Sequence, residues 1–215
     1  MVRLSTTYRT HLRRGGGEHW SGPPELVDLL AGLLDPSPTA RVLDVGCGIG
    51  GPARRLTDLR GCGIVALDVV ADLVGTARGL TSDSERISFL VAHAEHLPFA
   101  AGSFDLVWAL GVLAHTRFVT FADEARRILA DGGTFAAVEV LWNGRAPPRF
   151  AASAPQPWVP YTPGHVHGAL ARAGFSWIEL SAPETLRDRD PVDDRLRRDL
   201  ADGRLAPSLI VARVA

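Results

Sequence analysis

The stretch "VLDVGCGIGG" (42–51) sets one acid, Asp44, inside an apolar run and follows it with Gly46, Gly48, Gly50 and Gly51, four glycines in six positions. A second acid, Asp68, closes another apolar run, "GIVALD", 24 residues after Asp44. Glycines in this density let bare backbone approach a ligand; the alternative is a tight turn that joins a strand to a helix. Gly46-x-Gly48-x-x-Gly51 fits the dinucleotide fingerprint and Gly46, Gly48 and Gly50 fit a GxGxG pattern, a weak signal without its context. The carboxylate of Asp68 can accept from both hydroxyls of a ribose. Asp44 separates the possible nucleotides. A carboxylate two residues before the first glycine opposes a diphosphate but favours a ligand with a free ammonium and a sulfonium, the chemistry of S-adenosylmethionine and not of a nicotinamide dinucleotide.

These residues need elements to hold them. "RVLDVG" (41–46), "GIVALD" (63–68), "RISFLVA" (86–92), "FDLVWALG" (104–111) and "GTFAAVEVLW" (133–142) are short apolar runs that predict buried strands. Between them, Gly51-Pro52, "VVADLVGTARGL" and "FADEARRILADGG" predict helices, the last ending at its glycine pair, and "ELVDLLAGLL" (25–34) predicts one more ahead of the first strand. Strand and helix in alternation mean βαβ units and a parallel sheet covered on both faces. Residues 143–161, "NGRAPPRFAASAPQPWVPY", carry five prolines and no period, which suits a lid. Thr162-Pro163 then caps a helix, and "FSWIELSA" and "LAPSLIVARV" predict a closing antiparallel pair around the charged stretch 184–204.

The 215 residues suffice for one domain with a full core, with 46% hydrophobic and 22% charged residues. A net charge of −1 argues against nucleic acid as the main partner. All 23 basic residues are Arg, a compositional bias and not a binding face. No apolar run is long enough to span a bilayer, and the first residues lack a secretory signal, so a cytoplasmic protein is expected. Cys47 and Cys62 read as small buried hydrophobes in a reducing compartment. His165 and His167 point to different helix faces, and His93 and His96 have no ligand set beside them, so no metal site is expected.

"VLDVGCGIGGPARRL", "IVALDVV", "VAHAEHLPFAAGSFDLVWALGVLAHT" and "EARRILADGGTFAAVEV" resemble the successive motifs of class I S-adenosylmethionine-dependent methyltransferases, in the branch that methylates ubiquinone precursors, sterols, glycine and bacterial natural products. The resemblance covers residues 20 to 142, and "LARAGFSWIEL" extends it. It implies an α/β, Rossmann-like, doubly wound seven-stranded sheet, mostly parallel with an antiparallel C-terminal strand. Carried over by position, it gives Asp44, Gly46, Cys47, Gly48 and Gly50 to the methionine end of the cofactor, Asp68 to the ribose and Val69 to the adenine face. Ala94 would offer a backbone N–H to the adenine and Leu110 a backbone contact to the methionine part. The position before Ala94 is often Asp or Asn in the family; here His93 stands there, and its neutral ring has one acceptor nitrogen for the adenine amino group.

His115 follows the fourth strand, where relatives place a residue facing the transferring methyl; helix capping or packing is the other reading. "EHW" (18–20) resembles the N-terminal stretch that folds over the cofactor, making His19 a second catalytic candidate and Tyr8 and Trp20 candidates to close the site. Trp142, Trp158 and Tyr161 would line the acceptor pocket. The expected organisation is a single domain, 1–215: an N-terminal cap (1–34), a cofactor-binding core (35–142), a lid (143–161) and a C-terminal helix and strand hairpin (162–215). The expected activity is in-line methyl transfer to a small organic acceptor by a monomer or homodimer. The alternatives are a cyclase or isomerase on the same fold, or a non-catalytic accessory subunit.

Overall fold

The computed structural model describes residues 24–81, 85–149, 158–182 and 194–215. Its strands are β1 (Arg41–Val45), β2 (Gly63–Asp68), β3 (Ile87–Val91), β4 (Phe104–Leu110), β5 (Leu129–Trp142), β6 (Trp177–Ser181) and β7 (Leu205–Arg213). Its helices are α1 (Pro24–Leu34), α2 (Gly51–Arg60), α3 (Ala71–Gly79), α4 (Phe118–Ile128), α5 (Pro163–Ala173) and α6 (Asp194–Ala201), with a 3-10 turn at Leu113–His115. The strands form one seven-stranded sheet in the order β3-β2-β1-β4-β5-β7-β6. β1 to β5 run parallel, and β7 lies antiparallel between β5 and β6. This is the mostly parallel α/β sheet with an antiparallel C-terminal strand that the sequence predicts.

Alternation along the strands builds two cores. Val42, Ile64, Ala66, Leu106 and Trp108 face a cluster with Leu26, Leu30, Ala53 and Leu56 of α1 and α2. Leu43, Val45, Val107, Ala109, Phe135 and Ala137 face the opposite cluster, with Phe121, Ala125 and Leu170 of α4 and α5. With both faces buried, the strands read as near-continuous apolar runs, so a polar side chain inside one stands out. α2 begins at Gly50, left-handed at φ 80°, with Pro52 in its first turn, and ends at left-handed Gly61. α5 is capped by Thr162, whose side chain accepts from the His165 N–H at 3.2 Å.

Two elements differ from the sequence prediction. α4 stops at Ile128 and does not run on to the glycine pair: Leu129 is extended, buried, and paired with Phe104. Its apolar side chain gains more from the core than from another helical turn, and Gly132, at φ 71°, takes up the register shift that follows. The charged stretch 184–204 contains α6, whose Asp199 is fully buried and ion-paired to Arg149 and Arg204.

Candidate functional site

The glycine loop lies at the carboxyl ends of the strands, where open α/β sheets bind ligands. Its path is fixed from below: the N–H groups of Gly46 and Cys47 both donate to the Leu67 carbonyl, at 2.8 and 2.9 Å. Gly46, Gly48 and Gly50 have φ of 72°, 56° and 80°, the left-handed region that favours glycine. Space is as restrictive as conformation. A Cβ on Gly46 would collide with Val112 Cγ2, and one on Gly50 would come within 2.8 Å of the Phe89 ring. Cys47 points away into the α1/α2 core, where burial pushes its thiol pKa up and keeps it protonated.

Asp44 is 1% exposed, and its Oδ2 has no hydrogen-bond partner. Burial pushes its pKa up to about 7; the Trp108 indole pulls it down and the charge of Asp68 pushes it further up. Trp108 stands beside it in register on β4, yet Trp108 Nε1 is also without a partner, so no hydrogen bond closes between them. A buried carboxylate oxygen left in this state fits a cationic ligand group. Asp68, at the end of β2, accepts the N–H of Gly48 on Oδ2 and of Val70 on Oδ1, both at 2.9 Å. Burial raises its pKa against these donors. Each oxygen keeps a lone pair for a diol, and Val69 next to it is an apolar side chain 60% exposed. Ammonium, diol and a flat apolar base therefore match this set of residues; a diphosphate does not.

Beyond Asp68, the Ala92 N–H donates to the Asp68 carbonyl at 3.2 Å, which brings His93 and Ala94 to the rim. His93 is exposed, and its Nδ1 accepts the Glu95 N–H at 3.3 Å. On the other side, Leu110 ends β4 and Gly111 donates to the Val138 carbonyl at 2.8 Å. The chain then turns through Val112 into the 3-10 turn that carries exposed His115.

Under that turn lies Glu139, a residue the sequence reading did not single out. It is 6% exposed on β5; its Oε2 accepts the Ala114 N–H at 3.1 Å and its Oε1 the Val140 N–H at 2.9 Å. Burial raises its pKa, and those donors and the charge of His115 pull it back. The available signal was an acid in the middle of "FAAVEVLW", a buried strand.

The segment that carries Trp158 and Tyr161 comes to the same turn, and Trp142 at the end of β5 bonds to it. The Val159 N–H donates to the Ala114 carbonyl at 2.7 Å, beside half-buried Trp158, and the Trp142 N–H donates to the Tyr161 carbonyl at 2.9 Å. The Tyr161 hydroxyl donates to the Thr116 carbonyl at 2.8 Å and accepts the Phe118 N–H at 3.1 Å, so it secures the turn. Trp142 Nε1 donates to the Ala146 carbonyl at 2.7 Å. Tyr8, His19 and Trp20 lie outside the described residues. No cluster of three or more His, Cys, Asp or Glu side chains able to hold a metal occurs among the described residues. No described helix is long and apolar enough to cross a membrane.

Residues 43–137 match the family described as a methyltransferase domain. The 27-O-demethylrifamycin SV methyltransferase of Amycolatopsis mediterranei is 36% identical over 121 residues, covering 54% of this chain and 44% of that protein. The chain spans less than half the length of the first curated relatives it matches. Among solved structures, geranyl diphosphate C-methyltransferase from Streptomyces coelicolor A3(2) superposes with a TM-score of 0.77 at 17% identity, covering 89% of this chain and 80% of that one. The [4+2]-cyclase SpnF superposes at 0.76 and 22%, covering 97% and 92%. Residues 43–137 therefore carry a methyltransferase domain, and the chain shares its fold with these solved methyltransferase and cyclase structures.

Proposed function

We propose that this protein transfers a methyl group from S-adenosylmethionine to a small organic acceptor. The observation that carries the reading is the partnerless buried oxygen of Asp44 beneath the glycine loop, one strand from Asp68. When bound, the cofactor supplies an electrophilic methyl on a sulfonium. Asp44 holds the ammonium, the Gly46–Gly50 backbone receives the methionine part, Asp68 the ribose diol and Val69 the base. Leu110 and the following turn wall off the methyl from the β4 side. The acceptor binds over His115, under the lid 143–161 with Trp142 and Trp158, closed from above by the N-terminal cap with Tyr8, His19 and Trp20. Its nucleophilic atom forms a bond to the methyl carbon as the carbon–sulfur bond breaks, and any proton it carries passes to His115 or to water.

The names of the relatives support an acceptor from secondary metabolism, and two free buried cysteines support a reducing, cytoplasmic setting; the protein works there as a monomer or homodimer. Two experiments test the reading. Titration calorimetry with S-adenosylhomocysteine should show one site per chain. Incubation with methyl-labelled cofactor and a panel of terpenoid, polyketide and hydroquinone acceptors should place label in a product with release of S-adenosylhomocysteine. Binding without transfer to any acceptor, but with rearrangement of one, would favour a cyclase.

A further inference from the structure

Among the described residues, two buried side-chain polar atoms have no hydrogen-bond partner, Asp44 Oδ2 and Trp108 Nε1. They belong to one place. Asp44 on β1 stands opposite Trp108 on parallel β4, and neighbouring strands lie about 4.8 Å apart. Val42 and Leu106, two residues earlier on these strands, face the α1/α2 core, so alternation turns Asp44 and Trp108 to that same side. Trp108 is fully buried there. Apolar packing alone does not call for a tryptophan, because Phe fills a core without leaving a donor to satisfy. A ligand ammonium on Asp44 does not satisfy the indole either, since both groups only donate. The neighbour that can is the carboxylate itself, whose oxygens accept at several sites at once.

We infer that Trp108 is a positioning residue for the cofactor: its indole N–H closes onto the Asp44 carboxylate when the ligand ammonium binds, and holds that carboxylate charged and aimed at the ammonium. The inference rests on the cofactor reading above. In the free chain, burial favours the neutral acid of Asp44; the indole opposes that preference and the charge of Asp68 adds to it. A neutral carboxyl draws an N–H less strongly than a carboxylate does, so the bond closes together with the ligand.

The experiment is calorimetric binding of two ligands to the wild-type chain and to Trp108→Phe at pH 7.5. S-adenosylhomocysteine carries the ammonium; 5′-methylthioadenosine has the same nucleoside and thioether sulfur without the amino-acid end. The substitution keeps an aromatic ring in the core and removes the donor. S-adenosylhomocysteine should bind the variant at least about tenfold more weakly, the worth of one hydrogen bond to a charged group, while methylthioadenosine keeps its Kd within about twofold. A role in core packing alone would weaken both ligands alike, and an unchanged Kd for S-adenosylhomocysteine would leave the indole no part in binding. Either result overturns the inference and leaves the cofactor reading standing. If neither ligand bound the wild-type chain, both would fall. A second measurement needs no variant. In wild-type chain with nitrogen-15-labelled indoles, the Trp108 Nε1–H resonance should move downfield with S-adenosylhomocysteine and stay in place with methylthioadenosine; a resonance that neither ligand moves, or that both move alike, overturns the inference.

Discussion

Asp44 is neutral in the folded chain at a pH where an ordinary aspartate is charged. Its pKa is pushed up to about 7 by burial, so between about pH 4 and 7 the folded state holds a proton that the unfolded chain has released. That contribution to stability is present in acid and is lost as the pH rises through about 7. A bound ammonium reverses the preference, because it favours the carboxylate. Binding of S-adenosylhomocysteine below pH 7 should therefore expel a proton, and affinity should strengthen as pH rises from 5.5 to 7.5. Calorimetry at pH 6 in two buffers of different ionisation enthalpy measures that proton directly. Asp44→Asn should bind at least tenfold more weakly at pH 7.5 and lose the pH dependence. Asp68→Ala removes the acceptor for two hydroxyls and should cost about 2–4 kcal/mol of binding; near-equal affinities would take the diol away from Asp68. Asp44, the glycines and Asp68 were legible in the sequence because each interrupts an apolar run or a strand end where packing alone would not place it. The hydrogen bond from the Glu95 N–H to His93 Nδ1 was not, since only the folded turn creates it.

At the scale of elements, the strands and their order of appearance could be read from apolar runs, whereas the end of α4 could not. A helix pattern continues to Gly133 in the sequence, and only the burial of Leu129 against β4 ends it sooner. Glu139 was hidden for a related reason: its partner, Ala114, is 25 residues earlier, and pairing of β4 with β5 is what brings them together. Glu139→Ala leaves the Ala114 N–H without its acceptor and should destabilise the fold by about 1–3 kcal/mol, read from chemical denaturation. Tyr161→Phe removes the two hydrogen bonds that secure the chain after the 3-10 turn and should cost about 1–2 kcal/mol in the same measurement, with cofactor affinity held within about twofold. The described part of the lid has its own anchor: Arg149 bonds Asp199 at 3.2 Å and Asp202 at 2.6 Å, and Arg204 Nη1 donates to the Pro147 carbonyl at 3.2 Å. Arg149→Ala should speed amide exchange at Asn143 and Arg145 and leave exchange in the Gly46–Gly50 loop unchanged.

For the whole molecule, the proposed cofactor site draws on the carboxyl ends of four parallel strands, β1 to β4, so occupancy should stabilise all of them together. At a hundred times its Kd, S-adenosylhomocysteine should add about 2.7 kcal/mol, or about 5–10 °C in Tm for a chain of this length. A melt that does not move with ligand would separate the site from the folding unit. The tight packing at Gly46 reaches further than sterics. The Gly46 Cα lies so near Val112 that no methyl fits between them, and Val112 begins the turn that carries His115. The loop proposed to receive the cofactor and the turn proposed to meet the acceptor therefore share one wall, and neither can shift without displacing the other. Cofactor and acceptor should then read each other thermodynamically: whatever factor the first gains from the second, the second gains from the first, and the two fill the pocket as a pair.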